Sequence, residues 1–134
     1  FAVLGTDRSN FLRNFLFKPS TITIISQQDG IVNGYGILSA REAPTAEPNP
    51  SFKIAPLYAD NDMIAGNILQ AMLSNLKPDE SIYLESPWNN ATAASVLHEL
   101  GFTKYFAQAK MYAGEVPKFD SARMFCYSSI ALGG

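Results

Sequence analysis

Apolar side chains recur along this chain at either helical or strand spacing, and the changes of period mark its elements. In residues 6–17, Phe11, Leu12, Phe15 and Leu16 fall at i, i+1, i+4 and i+5, one stripe of a helix that Asp7 or Ser9 can cap and Pro19 stops. The β-branched run TITIIS at 21–26 predicts a strand. Asp29-Gly30 then predicts a hairpin, because glycine takes positive φ at little cost, with the return strand at 31–39. Gly34 and Gly36 inside that strand predict a bulge or a close backbone approach. Residues 40–51 hold three prolines and no periodicity, so they read as an exposed loop between two strands of one domain.

The stretch 52–76 reads as a short buried strand, an acidic turn and an amphipathic helix. Pro56 cannot donate to a ladder, which marks an edge, a bulge or a frayed end of that strand. The helix at 61–75 places Ile64, Ile68, Leu69, Met72, Leu73 and Leu76 on one face, and Pro78 ends it. SIYLE at 81–85 is a further strand, Ser86-Pro87-Trp88-Asn89-Asn90 a turn, and 91–100 a helix closing on Gly101. Strands at 103–112 and 123–132, joined through 113–122, complete the chain. The order α-β-β-β-α-β-α-β-β defines an α/β (α+β) domain with a mostly antiparallel mixed sheet. Strand, helix and strand through 52–85 imply one parallel pair inside it.

At 134 residues the chain makes one domain, 1–134, with one core. Its 10 basic and 12 acidic residues nearly cancel, which argues against nucleic acid or an anionic membrane as partner. No apolar run approaches the length of a membrane span. The lone cysteine, Cys126, lies among Met124, Phe125 and Tyr127, which predicts a buried, inert thiol and a reducing, cytoplasmic location. A first residue of Phe1 points to a piece of a longer protein.

With the element order stand Asn90, Ala93, Val96, Gly101 and Phe102 around the second long helix. Together these resemble the GCN5-related N-acetyltransferase (GNAT) family, whose closing motif has an asparagine, a small residue three on, an apolar one three further, and Gly-Phe after the helix. More narrowly, Ala55-Pro56-Leu57-Tyr58-Ala59-Asp60, Leu100-Gly101-Phe102 and Lys110-Met111-Tyr112-Ala113-Gly114 look like the C-terminal acetyltransferase-like domain of tandem proteins of the YitH type. The resemblance implies a GNAT-like sheet whose central parallel strands splay apart at a bulge, with flanking helices. It also implies an N-terminal GNAT domain of the same chain as partner.

For chemistry, the resemblance implies acetyl-CoA or another acyl-CoA as donor, an unknown amine or small-molecule acceptor, and no metal. The donor would run along the bulge at Ala55 and Leu57, which also offers a backbone oxyanion donor. Its pyrophosphate would meet the N–H groups of Met63, Ile64, Ala65 and Gly66, where a strand feeding a helix leaves free donors and a positive dipole. Asn90 would complete the donor site. The family's pyrophosphate motif is Arg or Gln, two spacers, Gly, a spacer, then Gly or Ala. Registered on Tyr58, those positions are Ala59, Asp62 and Ile64, so the motif is absent. Asp60 and Asp62 are expected to cap the helix with their carboxylates instead.

The family's proton-donating tyrosine falls on Leu97, which transfers no proton. Its neighbour His98 is turned away by about 100° on the helix and reads as a surface residue. A base for the amine is expected at Glu85, which shares a sheet face with Tyr83, or at a water held by Tyr58 or Tyr83. Trp88 is a lid or acceptor-site aromatic, or a plug of its turn. The sequon Asn90-Ala91-Thr92 reads as a helix cap, and Tyr105, Phe106, Tyr112, Phe119, Phe125 and Tyr127 as core and hairpin packing. Two functions stay open: an acyl-CoA-dependent N-acetyltransferase domain, or a non-catalytic GNAT-like module for ligand binding or domain interaction.

Overall fold

The hairpin predicted from Asp29-Gly30 is present. Strands β1 (Thr21–Gln28) and β2 (Ile31–Ala40) pair antiparallel, from Gln28 opposite Ile31 to Thr21 opposite Ser39. Asp29 and Gly30 take φ of 51° and 78°, consecutive left-handed residues that match the twist of the flanking strands. The structure is a computed structural model that describes residues 7, 9–41, 50–116 and 118–128, apart from the side chain of Phe15. Ahead of the hairpin, helix α1 (Ser9–Leu16) starts where Asp7 accepts hydrogen bonds from the Ser9 N–H (2.8 Å) and hydroxyl (2.6 Å). Those two bonds favour the carboxylate and hold Asp7 below its ordinary pKa. The expected start of this helix at Thr6, most of the loop at 40–51, and the last strand beyond 128 lie outside the described residues.

Strand β3 (Ser51–Ala59) is the hub of the sheet. One edge pairs antiparallel with β2; the other pairs parallel with β4 (Ser81–Leu84) and antiparallel with β5 (Met124–Cys126). The strand order is β1-β2-β3-β4 with β5 attached to β3, so the mixed, mostly antiparallel sheet with one parallel pair is as expected. Helix α2 (Asp62–Leu73) crosses the face of β1, β2 and β3 and buries Ala65, Ile68, Leu69 and Met72 there. Helix α3 (Ala91–Glu99) packs beside it through Ala93 and Leu97. Completely burying an aliphatic side chain such as Leu57 or Leu69, both 0% exposed, stabilises by about 1.5–3 kcal/mol.

Both readings of the glycines in β2 hold: against β1 the strand carries one extra residue, Asn33, beside Gly34, and against β3 a second bulge falls in β3. The register with β3 shifts between Gly36 and Leu38, where Ile37 faces two residues, Ala55 and Pro56. Gly34 and Gly36 also lie directly under α2: a Cβ on Gly34 would come within 2.6 Å of Ile64 Cγ2, and one on Gly36 within 2.6 Å of Met72 Cε and 2.9 Å of Leu57 Cδ1.

One element differs. Residues 103–112, expected as a strand, carry no regular structure, and Tyr105, Phe106 and Met111 are 85%, 62% and 89% exposed instead of packing in a core or hairpin. The physical reason is the partner: β5, which would have formed the hairpin with this segment, is taken up by β3. Without a ladder, the adjacent pair Tyr105-Phe106 also lacks the alternation that would seat one face. The last expected strand is present over Met124–Cys126, preceded by a 3₁₀ turn at Ser121–Arg123, and Tyr127 and Ser128 are outside it.

Replacing Gly36 by Val forces side-chain atoms into Met72 and Leu57, and it is expected to lower the unfolding free energy by about 1–3 kcal/mol. Urea denaturation measures this; an unchanged midpoint would show that α2 does not rest on the glycine.

Candidate functional site

The candidate site lies where β3 and β4 part. Their parallel pairing runs from Ser51 opposite Ser81 to Ile54 opposite Leu84 and stops. The bulge at Ala55 and Pro56 follows, and Pro56 offers no N–H to any neighbour at the point where the neighbour changes. Beyond it Leu57 pairs with Cys126 and Tyr58 with Met124. Strand β5 therefore sits on the part of the β3 edge that β4 has left. On its other side the Tyr127 N–H donates to the carbonyl of Glu85 at 2.8 Å, so β5 bridges both walls of the crevice.

Its side chains are seated as firmly. Phe125 and Cys126 join the main core under α2, while Met124 joins Tyr58, Tyr35, Phe119 and Tyr127 on the opposite face. All three β5 residues are no more than 1% exposed. The Cys126 thiol points at the carbonyl of Ile54, 2.9 Å away, and burial pushes its pKa up to about 12. The buried, unreactive thiol read from the sequence is what these contacts produce.

The start of α2 has used its donors. Asn61 is the N-cap, in extended conformation (φ −155°), and its side chain accepts from the Ile64 N–H at 3.0 Å. Asp62 accepts from the Met63 N–H at 2.9 Å, and the Ala65 N–H bonds to the Asn61 carbonyl at 3.1 Å. The expected capping by Asp62 is present, with Asn61 added as the N-cap residue proper. Asp60 instead forms an ion pair with Arg123, whose position next to β5 the sequence did not reveal. Gly66 faces α3, with Val96 Cγ1 3.9 Å from where its Cβ would be.

Asn90 is 4% exposed. Its oxygen accepts from the Ala93 N–H at 2.9 Å and caps α3, as the sequence suggested. Its amide nitrogen donates to the carbonyls of Ser121 and Met124 at 2.9 Å, with Ala122 at 3.3 Å. The side chain that the resemblance assigns to the donor site thus ties the chain entering β5 to the start of α3.

The two expected catalytic residues share the sheet face opposite α2. Tyr58 is 5% exposed and meets Tyr35 edge to face, with ring centroids 5.5 Å apart. Glu85 pairs with Lys53 at 2.9 Å, with both side chains about one-third exposed. Such a pair contributes little to stability and fixes the carboxylate beside a cation. Ala55 and Leu57 lie buried where β3 changes partner, while at the start of α2 Met63 is exposed and Ala65 is fully buried. Leu97 is core, and His98 lies with Ala94, Ser95 and Glu99 along an open hollow of about 420 Å³ on the outer side of α3. Trp88 is 93% exposed and does not plug its turn.

Comparison with known proteins gives the family. A family model described as the acetyltransferase (GNAT) domain matches residues 2–126, and the chain belongs to that family. No curated protein matches it significantly. Among solved structures, an aminoglycoside acetyltransferase from an uncultured soil metagenomic sample, in complex with trehalose, is 14% identical, with 83% of this chain and 76% of that one covered at a TM-score of 0.61. The ribosomal-protein-alanine N-acetyltransferase of Brucella melitensis biovar Abortus 2308 is 11% identical, over 78% and 79% of the two chains, at 0.58. The aminoglycoside N-acetyltransferase AAC(6')-Iy, solved with CoA, is 16% identical, over 81% and 88%, at 0.57. At these identities the likeness concerns the fold.

The residues present do not fit an acyl-CoA in this conformation. The Met63, Ile64 and Ala65 N–H groups have partners, Asp62 puts negative charge beside them, and the Leu57 to Tyr58 edge is paired. Among the described residues, no helix is long and apolar enough to cross a membrane.

The Cys126 environment predicts an alkaline loss of stability. The unfolded thiol ionises near pH 9, whereas the buried one keeps its proton to about pH 12, so its contribution is full below pH 9 and declines through that window. Burial raises Tyr127 as well, and this acts the same way with or without the thiol. Cys126→Ala is expected to reduce the drop in urea midpoint between about pH 8 and about pH 10.5; an equal drop in both proteins would rule out the thiol as its source.

Proposed function

We propose that this domain serves acyl-CoA-dependent N-acetyl transfer as an accessory unit. In this reading a catalytic GNAT domain, preceding it in a longer chain of the YitH type, handles the acyl donor. The observation that carries the reading is β5 on the Leu57 to Tyr58 edge, since an extended ligand needs that edge and finds it taken. The capped start of α2 supports it, because a phosphate there would have to displace Asn61 and Asp62 from donors they already hold. What the domain contributes is then a binding or packing surface for its partner, and the acceptor is an amine-bearing molecule of unstated kind. A cytoplasmic, reducing location goes with this reading, which a lone buried thiol suits.

A second reading is favoured by one observation, the bulge at Ala55 and Pro56, which is a feature of a working donor crevice by the family resemblance. In that reading the domain itself uses acetyl-CoA or another acyl-CoA once β5 withdraws. Glu85 or Tyr58, on the face opposite α2, would then take the proton of the attacking amine.

Calorimetric titration with acetyl-CoA separates the two. The accessory reading expects the domain to bind with a Kd weaker than about 1 mM, and the double variant Asp62→Gly, Ile64→Gly to bind no better. Micromolar binding by the unaltered domain would overturn it. Binding recovered in the double variant would show that the acidic turn, and not β5, is the obstacle.

A further inference from the structure

We propose that β5 is a latched plug: the crevice between β3 and β4 opens by local withdrawal of β5, and the Asn90 amide is the latch that holds it shut. The proposal depends on neither reading of the function.

Three features define the plug. First, among the described residues β5 is three residues long and makes two ladder pairs with β3, with a register shift between them. A strand so briefly paired can open as its own cooperative unit, at the cost of exposing its three buried side chains, while the β1–β2–β3 ladder stays paired. Second, the chain before it offers little resistance. Residues 103–109 are exposed and without regular structure, so withdrawal of β5 strips no further strand from the sheet. Third, the attachments at the two ends differ. After β5, among the described residues, the Tyr127 N–H bonds to the Glu85 carbonyl. Before it the carbonyls of Ser121, Ala122 and Met124 converge on the buried Asn90 amide, and Arg123 reaches Asp60.

Asn90 is suited to the task because its two ends have separate duties. The oxygen belongs to α3 and the nitrogen to β5. A buried amide nitrogen whose carbonyl partners leave must find water, so the closed arrangement is strongly preferred. Loss of the nitrogen alone should free β5 while α3 keeps its cap.

Asn90→Asp makes that change, retaining an oxygen for the Ala93 N–H and placing a carboxylate opposite three carbonyls. Cys126 is the chain's one cysteine and is the last, fully buried residue of β5, so the rate of its reaction with Ellman's reagent reports opening directly. The expected result is a rise of about tenfold or more in labelling rate, the equivalent of losing one or two buried hydrogen bonds. Ala94→Gly, on the exposed side of α3, weakens the helix without touching β5. Its labelling rate should rise no further than its loss of global stability in urea accounts for. Labelling of Asn90→Asp at the unaltered rate, or in step with global unfolding as for Ala94→Gly, would overturn the latch.

Hydrogen exchange of the unaltered protein tests the plug without any variant. The amides of residues 124–127 are expected to exchange by an opening with little urea dependence, while those of the β1–β2 ladder follow a larger one. The same steep urea dependence in both would overturn the plug.

Discussion

The fold depends on a change of partner half-way along one strand. Up to Ile54, β3 is held by β4; after the bulge it is held by β5. A bulge bends a strand and increases its local twist, so two parallel neighbours that start in register cannot both follow it. The gap that opens exposes backbone donors and acceptors near the centre of the sheet, and these require partners. In this chain Met124, Phe125 and Cys126 provide them and bring three buried apolar side chains as well.

The same economy of hydrogen bonds governs the start of α2. A helix N-terminus has a small set of unpaired N–H groups, and each can be satisfied once. Asn61 and Asp62 satisfy those that the strand-to-helix geometry would otherwise present to an anion. Family membership gives the strand-to-helix architecture, and the local side chains decide whether donors remain free there. These are separate properties, and here they disagree.

Much of the architecture was legible because it rests on short-range signals. Asp29-Gly30 specifies its hairpin, the Ile68, Leu69 and Met72 stripe specifies the buried side of α2, and Asn90 and Gly101 bound α3. The departures from family chemistry at Leu97 and His98 were legible too, since one helical step separates a core position from a surface one. What escaped the sequence depends on partners far apart along the chain. Nothing near Cys126 announces that it lies opposite Leu57, and nothing near residues 103–112 shows that their hairpin partner goes elsewhere. The roles of Asn61, Arg123 and the Asn90 amide follow from that one long-range choice; the Asn61-Asp62 pair before an apolar run was the signal available for the cap.

The way β5 completes β3 also bears on the solubility of the domain. An unpaired strand edge is a template for another chain, and proteins ordinarily keep such edges short, charged or covered. The Leu57 to Tyr58 edge carries no charge: it is flanked by apolar side chains and sits next to the core. It is tolerable because β5 covers it. A chain shortened ahead of Met124 would keep the hairpin and both long helices yet present a bare, sticky edge at its centre. Edge-to-edge aggregation, more than simple unfolding, is how such a fragment would fail.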